Sequence, residues 1–411
     1  MSAHQIFCHV FDNEDIPSQW CDGTMINLGK GKGDSEVLTN KRGITLTSNV
    51  GKLFERVANN RLLKVLTFSE AQAGGRPERG PVDQLFVLYE VLKQRKAEGK
   101  QTFCAFLDVH KAYDQAWRDI MFHILWESGV RGKLWRILVK LNSNIVVQIA
   151  TKFGLTRIIN VSGGVKQGGV LSVAQFSRMI DELEAELKKE GLGVEYLEFL
   201  ISCLLFVDDI ILIADSADEL QLMLDVCYRL FSKFHLKISQ SKSKVIVFNK
   251  KAATKLRTWT FGPLVLDEVF KYKYLGHFIN SVLNMNDDIE HKRCLVEAAI
   301  ATCLAVASDA VLQHMKAETL LQLYFSCILP IILYGTEIYP ESAIEALEVL
   351  QYKCLKRLLK LPTSTPNAAI LNRDWECPHT NAGPSSAAGV LLQAKVGNNL
   401  PSKPNTQNPG E

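Results

Sequence analysis

Apolar residues along this chain recur at two spacings, one helical and one extended, and their succession predicts helices alternating with short strands. In residues 50–66, Leu53, Phe54, Val57, Leu62, Leu63 and Leu66 recur at the i, i+3, i+4 spacing of one helix face. Residues 82–96 repeat the pattern with Leu85, Phe86, Tyr89 and Leu92, entered through Gly80-Pro81, a favoured helix start. Residues 102–109 form a short run that is apolar up to Asp108, as expected of a strand covered on both faces. A helix carrying Trp117, Met121, Ile124 and Leu125 follows, with Gly129 as its stop. Ser172 with Gln175, and Ser216 with Glu219, have the capping-box spacing that predicts two further helix starts. Between them, residues 203–206 and 210–214 are apolar strands separated by Val207-Asp208-Asp209, a hairpin with a carboxylate pair at its tip. Residues 244–248 and 272–279 predict further strands, and residues 299–361 are mainly helical in pattern. From Pro362 the chain turns to Pro, Asn, Ser, Gly and Thr, a composition that predicts a disordered tail.

The bulk numbers narrow the picture without naming a function. With 411 residues, 47% hydrophobic and 22% charged, the chain is a folded globular protein with room for several domains. A net charge of +3 identifies no polyanionic partner, although a basic groove can hide in a near-neutral total. The ten cysteines are scattered, without a Cys-x-x-Cys pair, and mostly lie in apolar runs. That pattern predicts a reducing compartment rather than a disulfide framework or a zinc site. The first ten residues lack the features of a signal peptide. Two apolar stretches, 197–214 and 320–335, are interrupted by Asp208-Asp209 and by Gln322 and Pro330. Both fall short of the ~20 apolar residues of a bilayer span. The expectation is a soluble intracellular chain with no membrane partner.

The acids carry the chemistry. Asp108 ends one apolar strand, and Asp208-Asp209 tip a hairpin beside Leu205 and Phe206. Carboxylates placed among apolar residues are costly unless cations neutralise them. Three convergent carboxylates suit hard divalent cations such as Mg²⁺. In a two-metal site the ions, roughly 4 Å apart, clamp the attacking and leaving oxygens of a phosphoryl transfer. Taken alone, an Asp-Asp pair is as often a plain polar turn.

The surrounding motifs shift that balance. Ala105-Phe-Leu-Asp-Val-His-Lys-Ala-Tyr-Asp114, Gly164-Val-Lys-Gln-Gly-Gly-Val-Leu-Ser172, Phe206-Val-Asp-Asp209, the segment 236–248 with Lys242, and Tyr272-Lys-Tyr-Leu-Gly276 resemble five successive motifs of reverse transcriptases. Ile16-Pro-Ser-Gln-Trp20, Lys41-Arg-Gly-Ile-Thr-Leu46, Ala71-Gln-Ala-Gly-Gly-Arg76 and Leu333-Tyr-Gly-Thr-Glu337 resemble LINE-type (non-LTR) retrotransposon enzymes in particular. The likeness runs from residue 16 to 279 and more weakly to 337. It implies an α+β fold, a right-hand polymerase with fingers, a ferredoxin-like antiparallel palm and a helical thumb. Residues 1–15 stay unassigned, 16–279 would form fingers and palm, 280–361 a helical thumb, and 362–411 the tail.

The resemblance also implies roles. The chain would be an RNA-directed DNA polymerase that extends a DNA primer on an RNA template with deoxynucleoside triphosphates, in the nucleus and/or cytoplasm. Asp108 and Asp208 would bind two Mg²⁺ ions, or Mn²⁺ in their place, with Asp209 supporting them. Tyr113 would lie under the incoming sugar, with a core aromatic spaced from Trp117 as the competing reading. Gln167, Gly168 and Gly169 would lie against the templating base pair, where a missing side chain permits close approach. Lys242 would face the triphosphate, unless it and Lys244 form a solvated charged edge. Arg42 and Arg76 would contact phosphates.

Several features depart from the family. Gly75 replaces a usual Phe, Val173 a usual Pro, and residues 29–33 are glycine-rich without being a P-loop. No endonuclease precedes residue 16, and neither a zinc knuckle nor a ribonuclease H domain follows the thumb. The expectation is therefore a fragment or a truncated copy. The competing function is a decayed or repurposed chain that binds nucleic acid without copying it. A nucleotide cyclase on the same palm topology ranks last, because the Gly-Gly-Asp/Glu-Glu-Phe hairpin is absent.

Overall fold

A computed structural model of the chain describes residues 2–29, 41–166, 168–251, 257–308 and 317–371. It separates into two compact units, Met1–Leu275 and Gly276–Glu411.

The first unit opens with α1 (Ala3–Asn13), a helix in the segment the sequence left unassigned. Ser2 caps it reciprocally with Gln5, and Phe7 and Phe11 pack against Phe54, with Trp20 completing the aromatic cluster. Strands β1 (Asp22–Gly29) and β2 (Lys41–Thr47) then lead into α2 (Asn49–Leu62) and α3 (Pro81–Ala97). Next come β3 (Thr102–Asp108), α4 (Ala112–Gln115), α5 (Arg118–Glu127), α6 (Gly132–Asn142), β4 (Val146–Thr151), β5 (Gly154–Leu155) and β6 (Ile159–Asn160). They are followed by α7 (Val170–Ile180), α8 (Glu182–Lys189), β7 (Val194–Tyr196), β8 (Phe199–Ile201), β9 (Cys203–Phe206), β10 (Asp209–Ala214) and α9 (Ala217–Lys233). The unit closes with β11 (Lys244–Phe248), β12 (Trp259–Phe261), β13 (Leu264–Glu268) and β14 (Lys271–Tyr274).

Two sheets organise these elements. One has the order β2-β1-β4-β5, with β6 also on β4. The other has the order β12-β13-β11-β3-β10-β9. Its inner strands β11-β3-β10-β9 have the ferredoxin-like arrangement, with α9 connecting β10 to β11, as expected for the palm. The continuous apolar run of β3 is explained by cover on both faces. Phe103, Ala105 and Leu107 belong to the main core with Phe176 and Leu220, whereas Phe106 points the other way. There Tyr272 stacks on it at 4.7 Å and Tyr274 meets it edge-on at 5.9 Å. Burying Phe106 fully is worth about 1.5–3 kcal/mol and fixes the two tyrosines of β14 beneath the sheet.

Some local expectations fail for identifiable reasons. The strand expected over 272–279 is broken by positive φ at Leu275 (45°) and Gly276 (86°). Ser172 does not cap a helix: α7 is capped three residues earlier, by Gly169, and the Ser172 hydroxyl donates to the Lys166 carbonyl at 2.9 Å. Ser216 does cap α9, accepting from the Glu219 amide. The Glu219 carboxylate serves the amides of Asp215 and Gly193 instead of closing the box.

The second unit contains β15 (His277–Asn280), α10 (Asn286–Ser308), α11 (Ala317–Leu323), α12 (Leu329–Leu333), α13 (Glu341–Leu358) and α14 (Asn367–Leu371). Residues Thr319–Ile338 are long and apolar enough to cross a membrane by length and composition alone. A π turn at Tyr324–Ile328 interrupts them, and Tyr324, Ile328 and Ile332 are fully buried in the unit. Most of the tail expected over 362–411 lies outside the described residues.

Candidate active site

The three carboxylates come together at one end of the palm sheet. Asp108 and Asp209 are direct partners in the antiparallel register of β3 and β10, so both side chains project from the same face. Asp208 sits in the two-residue turn joining β9 to β10. Backbone bonds fix the end of β3. The Asp108 amide donates to Ser243 Oγ at 3.1 Å, its carbonyl accepts from the Ser239 amide at 2.8 Å, and the Val109 amide donates to the Asp208 carbonyl at 3.2 Å.

Proximity makes the trio electrostatically unhappy. Burial, then the charges of Asp208 and Asp108, push the Asp209 carboxyl up to about 7, with Lys242 partly opposing them. Lys242 Nζ lies 2.9 Å from both Asp108 oxygens, while Lys244 pairs with Asp267 at 2.6 Å. The two lysines therefore differ: Lys242 neutralises the acidic cluster, whereas Lys244, largely covered on the inner strand β11, is held by Asp267 of β13. Among the described residues, no three His, Cys, Asp or Glu side chains are drawn close enough to grip a metal ion in this geometry. The donor set still fits a hard divalent cation. All its donors are carboxylate oxygens, the Asp209 carboxyl is held toward protonation by burial and by its neighbours, and the Lys242 ammonium already pairs with Asp108.

This electrostatics has a measurable consequence. Asp209 and the buried Asp181 both have folded-state pKa values raised to about 7, Asp181 chiefly by burial. A raised carboxyl contributes stability that is complete below its unfolded pKa and is lost as pH rises toward 7. In chelator, the melting temperature should fall between pH 4 and 7 and level off above that. Asp209→Asn should flatten part of the fall, and Mg²⁺ should raise the melting temperature more at pH 8 than at pH 5. A metal-free melting temperature that climbs steadily through this window would refute the assignment.

The remaining expected residues are placed unequally. Tyr113, in α4, is half-buried with its ring 5.7 Å from Phe176. Its hydroxyl is pushed up to about 12 by burial and by the Asp208 charge. Tyr113 and Trp117 do not share a helix, because α4 ends at Gln115 and the Trp117 ring meets His235 at 3.8 Å, yet Tyr113 does pack against the main core, as the competing core reading expects. Gly168 has φ 102°, a conformation that favours glycine, and faces the Thr45 carbonyl of β2. Gln167 and the side chain of Arg42 lie outside the described residues. Arg76 turns inward: it donates to the carbonyls of Ser69 at 2.8 Å and Gln72 at 3.1 Å and pairs with Glu70. It organises its own loop.

The sequence reading gave no role to Lys166 and Glu55, which support the loop before α7. Lys166 is buried, donates to the Trp20 carbonyl at 2.8 Å and lies 3.7 Å from Glu55. Glu55 also accepts from the Val170 amide at 2.9 Å. A lysine in the middle of a glycine-rich motif was the available signal. The two departures from the family also meet: a Cβ added to Gly75 would lie 2.4 Å from Val173 Cγ1.

Comparison with known proteins gives the family. A family model described as reverse transcriptase (RNA-dependent DNA polymerase) matches residues 30–279, more than half of the chain. The chain is 26% identical over 376 residues to a Retrovirus-related Pol polyprotein from type-1 retrotransposable element R2 of Popillia japonica, covering 87% of this chain and 50% of that protein. It is 22% identical over 373 residues to the RNA-directed DNA polymerase from mobile element jockey of Drosophila melanogaster, covering 87% and 40%. The chain thus spans half or less of the length of these relatives. Among solved structures, telomerase from Candida tropicalis in complex with a fragment of telomeric RNA aligns with a TM-score of 0.46 and 13% identity, covering 89% of this chain and 66% of that one.

Proposed function

The chain belongs to the reverse transcriptase (RNA-dependent DNA polymerase) family, with curated relatives in non-LTR retrotransposons, and from that premise we propose that it extends a DNA primer on an RNA template. The observation that carries the reading is the register of Asp108 against Asp209, with Asp208 at the adjoining tip. Phosphoryl transfer demands mainly positioning and charge neutralisation, and a sheet end with three mutually repelling carboxylates supports that chemistry.

In this reading Asp108 and Asp208 would hold two Mg²⁺ ions, or Mn²⁺, and Asp209 would support them. The bound ions would supply activation of the primer hydroxyl and neutralisation of the departing pyrophosphate. Lys242, two-thirds exposed (66%) at its side chain, would pass from Asp108 to the triphosphate once the cluster is neutralised. Tyr113, wedged between Phe176 and the Asp208 charge, would bound the pocket for the deoxyribose. Gly168 would let the template base pair approach the backbone. Arg42 and Gln167 would act on phosphate and base pair, while Arg76 would act through the loop it braces. The setting would be intracellular, in nucleus and/or cytoplasm.

A second reading, a chain that binds nucleic acid without copying it, draws support from Lys242 already satisfying Asp108. Primer extension on poly(rA)/oligo(dT) separates the two. The polymerase reading expects dTTP incorporation with Mg²⁺ or Mn²⁺ that chelator abolishes. Template binding with no incorporation in either metal would leave the binding role.

A further inference from the structure

The turn that carries Asp208 is strained. A two-residue hairpin with positive φ at its first central residue normally places glycine there. Here that position is Val207, at φ 59°, and a β-branched side chain is a poor occupant of that region. Such strain persists only where the surroundings over-determine the conformation.

The surroundings do so through one side chain. Gln72 is fully buried. Its Oε1 accepts from the Val207 amide at 3.1 Å and from the Gly74 amide at 2.9 Å. The segment bearing it is laid along β9: the Leu205 amide donates to the Ala71 carbonyl at 2.8 Å, and the Ala73 amide to the Leu205 carbonyl at 2.9 Å. Gln84 Nε2 ties the two carbonyls together, at 2.8 Å from Ala71 and 3.1 Å from Leu205. Gly74 then presses against the turn so closely that a Cβ there would sit 2.4 Å from the Val207 nitrogen.

We infer that Gln72 is a positioning residue for the reaction: its carbonyl oxygen holds the Val207 turn in a left-handed conformation and so aims the Asp208 carboxylate at the metal site. The inference rests on the polymerase reading for its effect on rate, but the clamp itself is a property of the fold. Without the acceptor, two buried amides lose their partner, and the turn relaxes toward a conformation valine prefers, rotating Asp208 away.

The test compares wild type, Gln72→Met, Val207→Gly and the double variant. Gln72→Met keeps side-chain length and removes the acceptor. It should lower kcat on poly(rA)/oligo(dT) about tenfold to a hundredfold, the scale of a catalytic group displaced by an ångström. The half-saturating Mg²⁺ concentration should rise, while KM for dTTP and template affinity stay near wild type. Hydrogen exchange at the Val207 amide should be slow in wild type and fast in Gln72→Met. Adding Val207→Gly, which tolerates positive φ unaided, should recover most of the lost kcat. If Gln72→Met fails to fold, Gln72→Asn, too short to reach the turn, is read in the same way. An unchanged kcat with a protected Val207 amide overturns the inference, as does a loss that Val207→Gly does not relieve in a normally folded chain. Should wild type incorporate nothing, the polymerase reading fails, and amide exchange at Val207 still decides the clamp.

Discussion

Asp208→Asn should lower dTTP incorporation by more than about a thousandfold while leaving RNA template affinity near wild type. Removing a metal-ligand charge costs several kcal/mol at the transition state, and each ~1.4 kcal/mol is a factor of ten in rate. The substitution is nearly isosteric and falls in a turn, so the sheet below it should be undisturbed. It also removes a charge that helps raise the Asp209 pKa, so the folded protein should not lose stability near neutral pH. The measurements are single-turnover extension, template affinity and melting temperature on one preparation. Incorporation near the wild-type rate would remove Asp208 from the site, whatever the family resemblance.

The second large effect is expected in the helical unit, far along the chain from that chemistry. Asp288 is 1% exposed. Its Oδ1 accepts from the Phe278 amide at 2.8 Å, and Tyr339 donates to its Oδ2. His277 Nδ1 lies 3.0 Å away and Lys292 Nζ 3.9 Å away. Lys292, also buried, donates to the Ile332 carbonyl at 3.1 Å and to that of Tyr334, so the cluster joins β15, α10 and the turn after α12. Burial alone would raise the Asp288 carboxyl, but His277 and the hydrogen-bond donors hold it below its ordinary value. Burial pulls Lys292 down to about 8 against the attraction of Asp288. Asp288→Ala leaves that lysine buried without its counter-charge, and removing one member of a buried pair costs about 3–5 kcal/mol. Urea unfolding should show the loss, with protease sensitivity rising first between residues 277 and 358. A change within about 0.5 kcal/mol would mean the cluster is solvated in solution. Because the Asp288 pKa is lowered on folding, its contribution is present above the unfolded carboxyl value and is lost as pH falls through the folded one.

The sequence made the acid-bearing strands legible because their signals are local. An unbroken apolar run ending in Asp108, and two short runs flanking Asp208-Asp209, need no knowledge of distant residues. The pairing of Asp108 with Asp209 then follows from the sheet order. Supports that act across long separations were not legible. Gln72 meets Val207 from 135 positions away, and nothing in Ala71-Gln-Ala-Gly-Gly-Arg76 shows that its amide oxygen faces a strained turn. Glu55 reaches the Val170 amide across 115 positions, and this contact moves the start of α7 ahead of the Ser172 signal. Arg76 is ambiguous for a related reason: a guanidinium suited to phosphate is equally suited to the carbonyls of its own loop. The helix Ala3–Asn13 is not legible because its apolar residues make sense only beside Trp20 and Phe54.

Phe106 and the two tyrosines beneath it set a limit on how this protein can be cut and recombined. The cover over that face of β3 comes from β14, the last strand of the first unit, which ends at Tyr274, one residue short of the boundary at Leu275. A break before Tyr272 would strip both rings from Phe106 and open to water the face that carries Asp108 and Asp209. A shortened chain that is to keep that face dry therefore has to run at least through Tyr274.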